Sequence, residues 1–266
     1  MKIVVFDLDE TLGYFTELGI FWDSLEYYTK IKEKHPLSQS DFNNVLDLYP
    51  EFLRPNIINI LKYLKTKKES ACCNKIMIYT NNTGPKTWAN HIIEYFESKT
   101  GCKIIDQVIA AFKINGKNIE ICRTTHNKTH EDLIRCTKIP TNTEICYLDD
   151  TFYPDMANDN IYYINVKPYY HDLDFDYMLD KFANSSIGKK IIDENDLNDE
   201  FKKIMDKQIK LYRYKCLEKN LKEYEIDKIL GKQILNHLHE FFNKSKKSKT
   251  LKNKGKYKNK TLKKYN

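Results

Sequence analysis

The chain opens on MKIVVF, a short apolar run that stops at Asp7. A continuous apolar run of this length, bounded by polar residues, suits a strand buried on both faces of a parallel sheet. Three more runs share the form. Lys75–Tyr79 (KIMIY) ends at Thr80-Asn81-Asn82, Glu144–Leu148 (EICYL) ends at Asp149-Asp150, and Ile161–Val166 (IYYINV) is closed by Pro168. Between them the apolar period lengthens to that of a helix. The spacing predicts a helix over Asn56–Lys65 with Pro55 at its first turn and Ile57, Ile58, Leu61 and Leu64 on one face. A second is predicted over Lys86–Ser98 on Trp88, Ile92, Tyr95 and Phe96, with shorter ones over Thr129–Cys136 and Asp176–Phe182.

Strands that alternate with helices predict an α/β fold, a Rossmann-like core with a mostly parallel sheet, over residues 1–188. Such sheets bind ligands beyond the carboxyl ends of their strands. Asp7, Thr80 and Asp149-Asp150 each follow a predicted strand, so three strands deliver polar residues to one edge. Residues 12–53 interrupt the alternation with two aromatic pairs, Phe21-Trp22 and Tyr27-Tyr28, and a short helix predicted at Ser40–Leu48. They read as an excursion over that edge, a flap or a closing lid. Residues 189–243 read as a helical extension. Its amphipathic stretches are Phe201–Cys216 and Glu225–Phe242, the second with Ile229, Leu230, Ile234, Leu238 and Phe241 at helical spacing.

Charge divides the chain again. The net charge is +7, but residues 244–266 hold 11 lysines and no acid, leaving 33 basic against 37 acidic residues and a net of −4 over residues 1–243. The basic tail reads as disordered, with weak nucleic-acid or anionic-surface contact as its possible use. No run approaches eighteen apolar residues, so no membrane span is expected, and Asp7 breaks the stretch a secretory leader would need. Seven cysteines without a Cys-x-x-Cys spacing predict reduced thiols in an intracellular setting, cytoplasmic or nuclear. His126 and His130 are four residues apart, the spacing of a helical metal pair, but nothing nearby completes a ligand set and they read as surface histidines.

The strongest chemical signal is Asp7-Leu8-Asp9-Glu10-Thr11 directly after the first strand. Two carboxylates so placed can divide labour, one attacking phosphorus and the other moving protons to and from the oxygens. An anionic nucleophile that approaches a phosphoryl group needs a cation, and hard oxygen ligands imply Mg²⁺.

DLDET after a first strand resembles the DxDx(T/V) signature of the haloacid dehalogenase superfamily, in its aspartyl-phosphate phosphatase branch. FLRPNIINILKYLK at Phe52–Lys65 is similar to the Arg-Pro-Gly-then-helix element of the C-terminal-domain phosphatases, also called NLI-interacting-factor-like. Thr80 in YTNN, Lys128 in NKTHEDL and the paired acids of LDD at Leu148–Asp150 complete four motifs in order over roughly residues 1–185. The resemblance implies Asp7 as nucleophile and metal ligand, and Asp9 as general acid/base that also reaches the metal. It implies Thr80, with Asn81, and Lys128 as phosphate-binding residues. Asp150 would complete the metal site directly or through water, Asp149 would orient waters or Lys128, and Thr11 would brace the loop. The expected activity is a Mg²⁺-dependent phosphomonoester hydrolase, a protein Ser/Thr phosphatase first. Its rivals are a phosphatase for small metabolites or nucleic-acid ends, and a catalytically idle nucleic-acid or partner-binding module. Asn56 stands where that family has Gly, and the segment after residue 12 reads as helical where the family has β-structure.

Overall fold

The computed structural model describes residues 1–193 and 199–243, apart from the side chain of Lys86. The Lys-rich tail of residues 244–266 and its predicted disorder lie outside the described residues. Five strands form one parallel sheet: β1 (Lys2–Phe6), β2 (Lys75–Tyr79), β3 (Gln107–Ile109), β6 (Glu144–Asp149) and β7 (Ile161–Asn165), in the order β3-β2-β1-β6-β7. β4 (Lys113–Ile114) and β5 (Lys117–Asn118) make a separate small hairpin. The short β3, which opens the apolar run Val108–Phe112, and the two-residue β4 and β5 are additional to the four strands expected from the sequence. The α/β architecture of the sequence reading is therefore present and compatible with a Rossmann-like fold.

The apolar runs are continuous because the sheet is covered on both sides. Successive side chains of a strand point to opposite faces. Val4, Phe6, Ile76, Ile78, Cys146 and Leu148 enter the larger core, whereas Ile3, Val5, Met77, Tyr79, Ile145 and Tyr147 enter a smaller one. The smaller core is closed mainly by α5 (His130–Thr137), through Leu133, and by Ile139 and Met156. The larger one takes residues from α1 (Thr16–Ile31), α2 (Gln39–Leu48), α3 (Ile57–Glu69), α4 (Lys86–Thr100), α6 (Phe175–Asn184) and α7 (Ser186–Ile191). It also takes Phe201, Met205 and Ile209 of α8 (Glu200–Lys210) and Ile234, Leu238 and Phe241 of α9 (Leu221–Asn243).

The predicted helices are present, with shifted ends. The helix after Pro55 starts one residue later than predicted, because Asn56 takes φ 70°. Asn is one of the few residues besides glycine that tolerate this left-handed conformation. The stretch predicted over Phe201–Cys216 is helical only to Lys210, and Ile229 of the predicted apolar stripe faces solvent. Residues 12–53 carry two helices rather than one. The first, α1, places Leu18, Phe21, Trp22, Leu25 and Tyr28 in the larger core.

The expectation of reduced thiols is overturned at one pair. Cys122 and Cys136 are joined by a disulfide across a sequence separation of 14. Neither spacing nor an odd count exposes this pair, because the fold brings the end of a loop against α5. The remaining cysteines, 72, 73, 102, 146 and 216, are in no disulfide.

Glu17, in the first turn of α1, is fully buried. Its carboxylate accepts from the Leu173 amide at 2.6 Å and from Cys216 Sγ at 3.4 Å. Burial pushes its carboxyl up from 4.5 to about 8. A carboxyl raised in the folded state contributes full stability below its unfolded pKa and loses it as pH rises towards the folded value. Wild-type stability should therefore fall between pH 4.5 and 8 through this group, at up to about 1.4 kcal/mol per unit. Glu17→Gln should flatten that slope and exceed the wild type at pH 8 by on the order of 2 kcal/mol in urea unfolding. A variant with the wild-type pH slope would refute the assignment.

Candidate active site

In this sheet the chain steps from β1 to β2 and β3 on one side, then crosses to β6 and β7 on the other. The order reverses between β1 and β6, and the crevice beyond the carboxyl ends of such strands is where open α/β sheets take ligands. Asp7 follows β1, its amide bonded to the Leu148 carbonyl at 2.8 Å, and Asp149 and Asp150 stand at the end of β6. Thr80 follows β2, its amide bonded to the Ile109 carbonyl at 3.0 Å.

Lys128 joins this edge from the segment before α5, where Thr129 caps the helix by accepting from the Asp132 amide. Its ammonium lies 2.5 Å from Asp7 Oδ1 and 2.7 Å from Asp149 Oδ2 and is 1% exposed. Tyr147, two residues upstream on the same face of β6, donates its hydroxyl to the same Asp149 oxygen. The rings of Tyr79 and Tyr153 lie 5.8 Å and 5.4 Å from the ammonium. Burial pulls the Lys128 ammonium down, but Asp7 and Asp149 outweigh it and hold the group above the usual lysine range. Burial raises Asp7 to about 8; Lys128 offsets part of the rise, and the charges of Asp149 and Asp9 add to it. The two shifts differ in origin: the neighbouring carboxylates raise Lys128 against burial, and burial itself raises Asp7.

Carboxylate oxygens of Asp7, Asp149 and Asp150 lie within 4.8 Å of one another. Thr11 ties the loop after β1 to this group, donating to Asp150 Oδ1 at 3.1 Å and accepting from the Asp150 amide at 3.2 Å. Asp9 is held by Asn82, whose side-chain amide donates to Asp9 Oδ2 at 2.8 Å. Burial raises the carboxyls of Asp9 and Asp150 as well. Crowded, raised carboxyls with oxygen-only donors are what a hard divalent cation would relieve, so the residues present fit Mg²⁺.

The sequence reading named Asn81 beside Thr80, but Asn81 donates to the Tyr153 hydroxyl at 3.1 Å and Asn82 is the residue that reaches Asp9. The Asn82 amide also donates to Thr80 Oγ1 at 2.9 Å. Residues two apart in an extended chain share a side, and that spacing was the signal for Asn82. Tyr147, Arg54 and Arg123 also escaped a functional reading. Arg123, buried, holds the Thr80 carbonyl at 3.1 Å and that of Ala110 at 2.9 Å. His126 is exposed and His130 half-buried, and neither belongs to the acidic group.

Arg54 supports the carboxylate loop from behind. Its guanidinium donates to the carbonyls of Thr11 (2.5 Å), Glu10 (2.5 Å) and Lys167 (2.9 Å) at 1% exposure. Burial brings its pKa down to about 10. Gly13 ends the same loop, and a Cβ there would stand 2.5 Å from the Phe52 carbonyl oxygen, so only glycine permits this approach. Behind Arg54, α9 presses Gly231 onto the Pro55 carbonyl, where a Cβ would stand 2.1 Å away. A lysine cannot present a planar fork to three carbonyls. Arg54→Lys should therefore cost about 2–4 kcal/mol in chemical denaturation, although charge is conserved. A loss under about 0.5 kcal/mol, the scale of an ordinary surface change, would show the fork to be dispensable.

No family model matches the chain, and no curated protein or solved structure matches it. Among the described residues no helix is long and apolar enough to cross a membrane. The fold and site thus define a class on physical grounds: an α/β protein with a buried cluster of carboxylates around one lysine at the switch point of a parallel sheet.

Proposed function

We propose that the chain is a Mg²⁺-dependent phosphomonoester hydrolase that works through an aspartyl-phosphate, with a phosphorylated protein side chain as its substrate class. The observation that carries the reading is the convergence of Asp7, Asp149 and Asp150 about the buried Lys128 at the strand ends. Four motifs in the order of the haloacid dehalogenase phosphatases support it, with the left-handed Asn56 at the position of that family's Gly.

In this reading Asp7 Oδ attacks phosphorus and the bond to the leaving oxygen breaks, giving an acyl phosphate on Asp7. Asp9 donates its proton to the leaving oxygen and then takes one from the water that hydrolyses the acyl phosphate. Burial raises its carboxyl, which favours the protonated form, and Asn82 aims the side chain. Lys128 and the Thr80 hydroxyl meet the charge that builds on the phosphoryl oxygens. Asp7, Asp150 and the Asp9 carbonyl would hold Mg²⁺, which when bound neutralises charge on the phosphoryl group and on Asp7. Asp149 keeps Lys128 in position.

An aryl phosphate should be hydrolysed in the presence of Mg²⁺, stop with a chelator and recover on adding the ion back. A purified, folded chain with no turnover under Mg²⁺ would sink the proposal. A panel of phosphopeptides, sugar phosphates, nucleotides and phosphorylated DNA ends would decide the substrate class.

A further inference from the structure

A cleft of about 460 Å³ opens beside Asp9. Its walls come from α1, from the segment between β2 and α4, from the start of α4, which carries Trp88 and His91, and from the stretch after α8 that carries Tyr212 and Tyr214. If Asp9 protonates the leaving oxygen, as proposed above, the leaving group must lie on the Asp9 side of the phosphorus. The cleft is the space Asp9 borders. The following inference rests on that reading for its placement, though not for its chemistry.

Two properties set the cleft apart. It is aromatic: Trp22, Trp88, Tyr212 and Tyr214 line it, and these two indoles are the only tryptophans of the chain. Gly19 faces Trp88 without a side chain, and a Cβ there would stand 3.5 Å from the indole. It is also acidic. Asp23 and Glu26, one helical turn apart on α1, line it together with Asp9. Asp23 accepts from the Tyr212 hydroxyl at 3.1 Å and Glu26 from the Trp22 indole N–H at 3.1 Å. Both residues are exposed at the cleft; partial burial still raises both carboxyls, and the one basic group that acts on them is His91, on Glu26. Among the described side chains the one basic residue lining the cleft is His91, whose Nδ1 lies 2.5 Å from Gln39 Oε1.

Aromatic faces and carboxylates that no lysine or arginine neutralises are complementary to an ammonium or guanidinium. They repel further phosphates, which disfavours nucleic-acid ends, nucleoside polyphosphates and bisphosphates. We propose that this cleft selects phosphomonoesters whose leaving group carries a positive charge, seated against Trp88 and between Asp23 and Glu26. At 460 Å³ the space is within the range of ligand pockets and exceeds a small amino alcohol, so a basic side chain beside a phosphoserine or phosphothreonine fits it better.

The test uses the full chain with Mg²⁺ and three peptides that differ only in the residues flanking phosphoserine: Arg, Ala or Glu. The expected order of kcat/KM is Arg above Ala above Glu, with Arg at least about tenfold above Ala. In the double variant Asp23→Asn, Glu26→Gln the Arg-to-Ala ratio should collapse towards one. Equal turnover of the three peptides by the wild type overturns the proposal. An ammonium-bearing alkyl phosphate turned over faster than the Arg peptide would keep the charge selection and overturn the peptide source. Should neither the peptides nor an aryl phosphate be turned over, the phosphatase reading fails, and tryptophan fluorescence still decides the cleft. Titration with the unphosphorylated Arg peptide should then shift the emission where the Ala peptide does not, and identical responses would overturn the proposal.

Discussion

Asp7→Asn is expected to lower turnover of an aryl phosphate by at least about 10⁴-fold at saturating Mg²⁺, because an amide cannot form the acyl phosphate. The protein should nevertheless stay folded. In the metal-free chain Asp7 shares a desolvated space with Asp149 and Asp9 and is raised to about 8 by burial and by their charges. Removing a carboxylate from that group relieves repulsion, while an amide oxygen can still accept from Lys128. The metal-free Tm should therefore hold or rise as activity disappears. The stabilisation added by Mg²⁺ should shrink, because a ligand has gone. Turnover within tenfold of the wild type would remove Asp7 from the nucleophile's role. Loss of turnover together with unfolding would instead make Asp7 a structural residue.

Lys128→Met should produce the largest loss of stability. The ammonium is the cation within reach of both Asp7 and Asp149, at 2.5 Å and 2.7 Å. Taking one partner from a buried ionic group leaves uncompensated charge and costs about 3–5 kcal/mol. Without Lys128 the carboxyl of Asp7 loses the charge that offsets its rise, and a carboxyl raised in the folded state loses stability as pH rises. The deficit should accordingly be small near pH 4, where Asp7 is protonated, and greatest near pH 8. Mg²⁺ should restore more stability to this variant than it adds to the wild type, since the ion would replace part of the missing charge. Urea unfolding at several pH values, with and without Mg²⁺, checks all three statements. A pH-independent deficit would assign the loss to packing rather than to charge.

Much of the site was legible because its residues sit at the ends of apolar runs. Asp7, Thr80, Asp149 and Asp150 could be placed at one edge from strand alternation alone, whereas Lys128 was legible only through the resemblance of NKTHEDL to a family motif. The residues that hold them were not legible. Arg54 stands between Leu53 and Pro55 with no neighbouring acid, and its partners are three carbonyls, Glu10 and Thr11 some 43 residues upstream and Lys167 113 residues downstream. A bond to a backbone oxygen leaves no trace in side-chain identity. The same holds for Arg123 and the Thr80 carbonyl. Asn82 was missed for another reason: it adjoins Asn81, and only the direction of each side chain separates them.

The sequence alone determined four of the five sheet strands, their order along the chain and the chemistry waiting at their ends. Those are local properties, a run of apolar residues and the polar group that stops it. Tertiary structure decided which faces the strands share, that Cys122 meets Cys136, and that α1 and the segment after α8 enclose a cleft beside Asp9. It also decided the electrostatics, because the raised carboxyls of Asp7, Asp9 and Asp150 follow from desolvation and mutual approach. Burial and distance are properties of the packed chain, and no residue type carries them by itself.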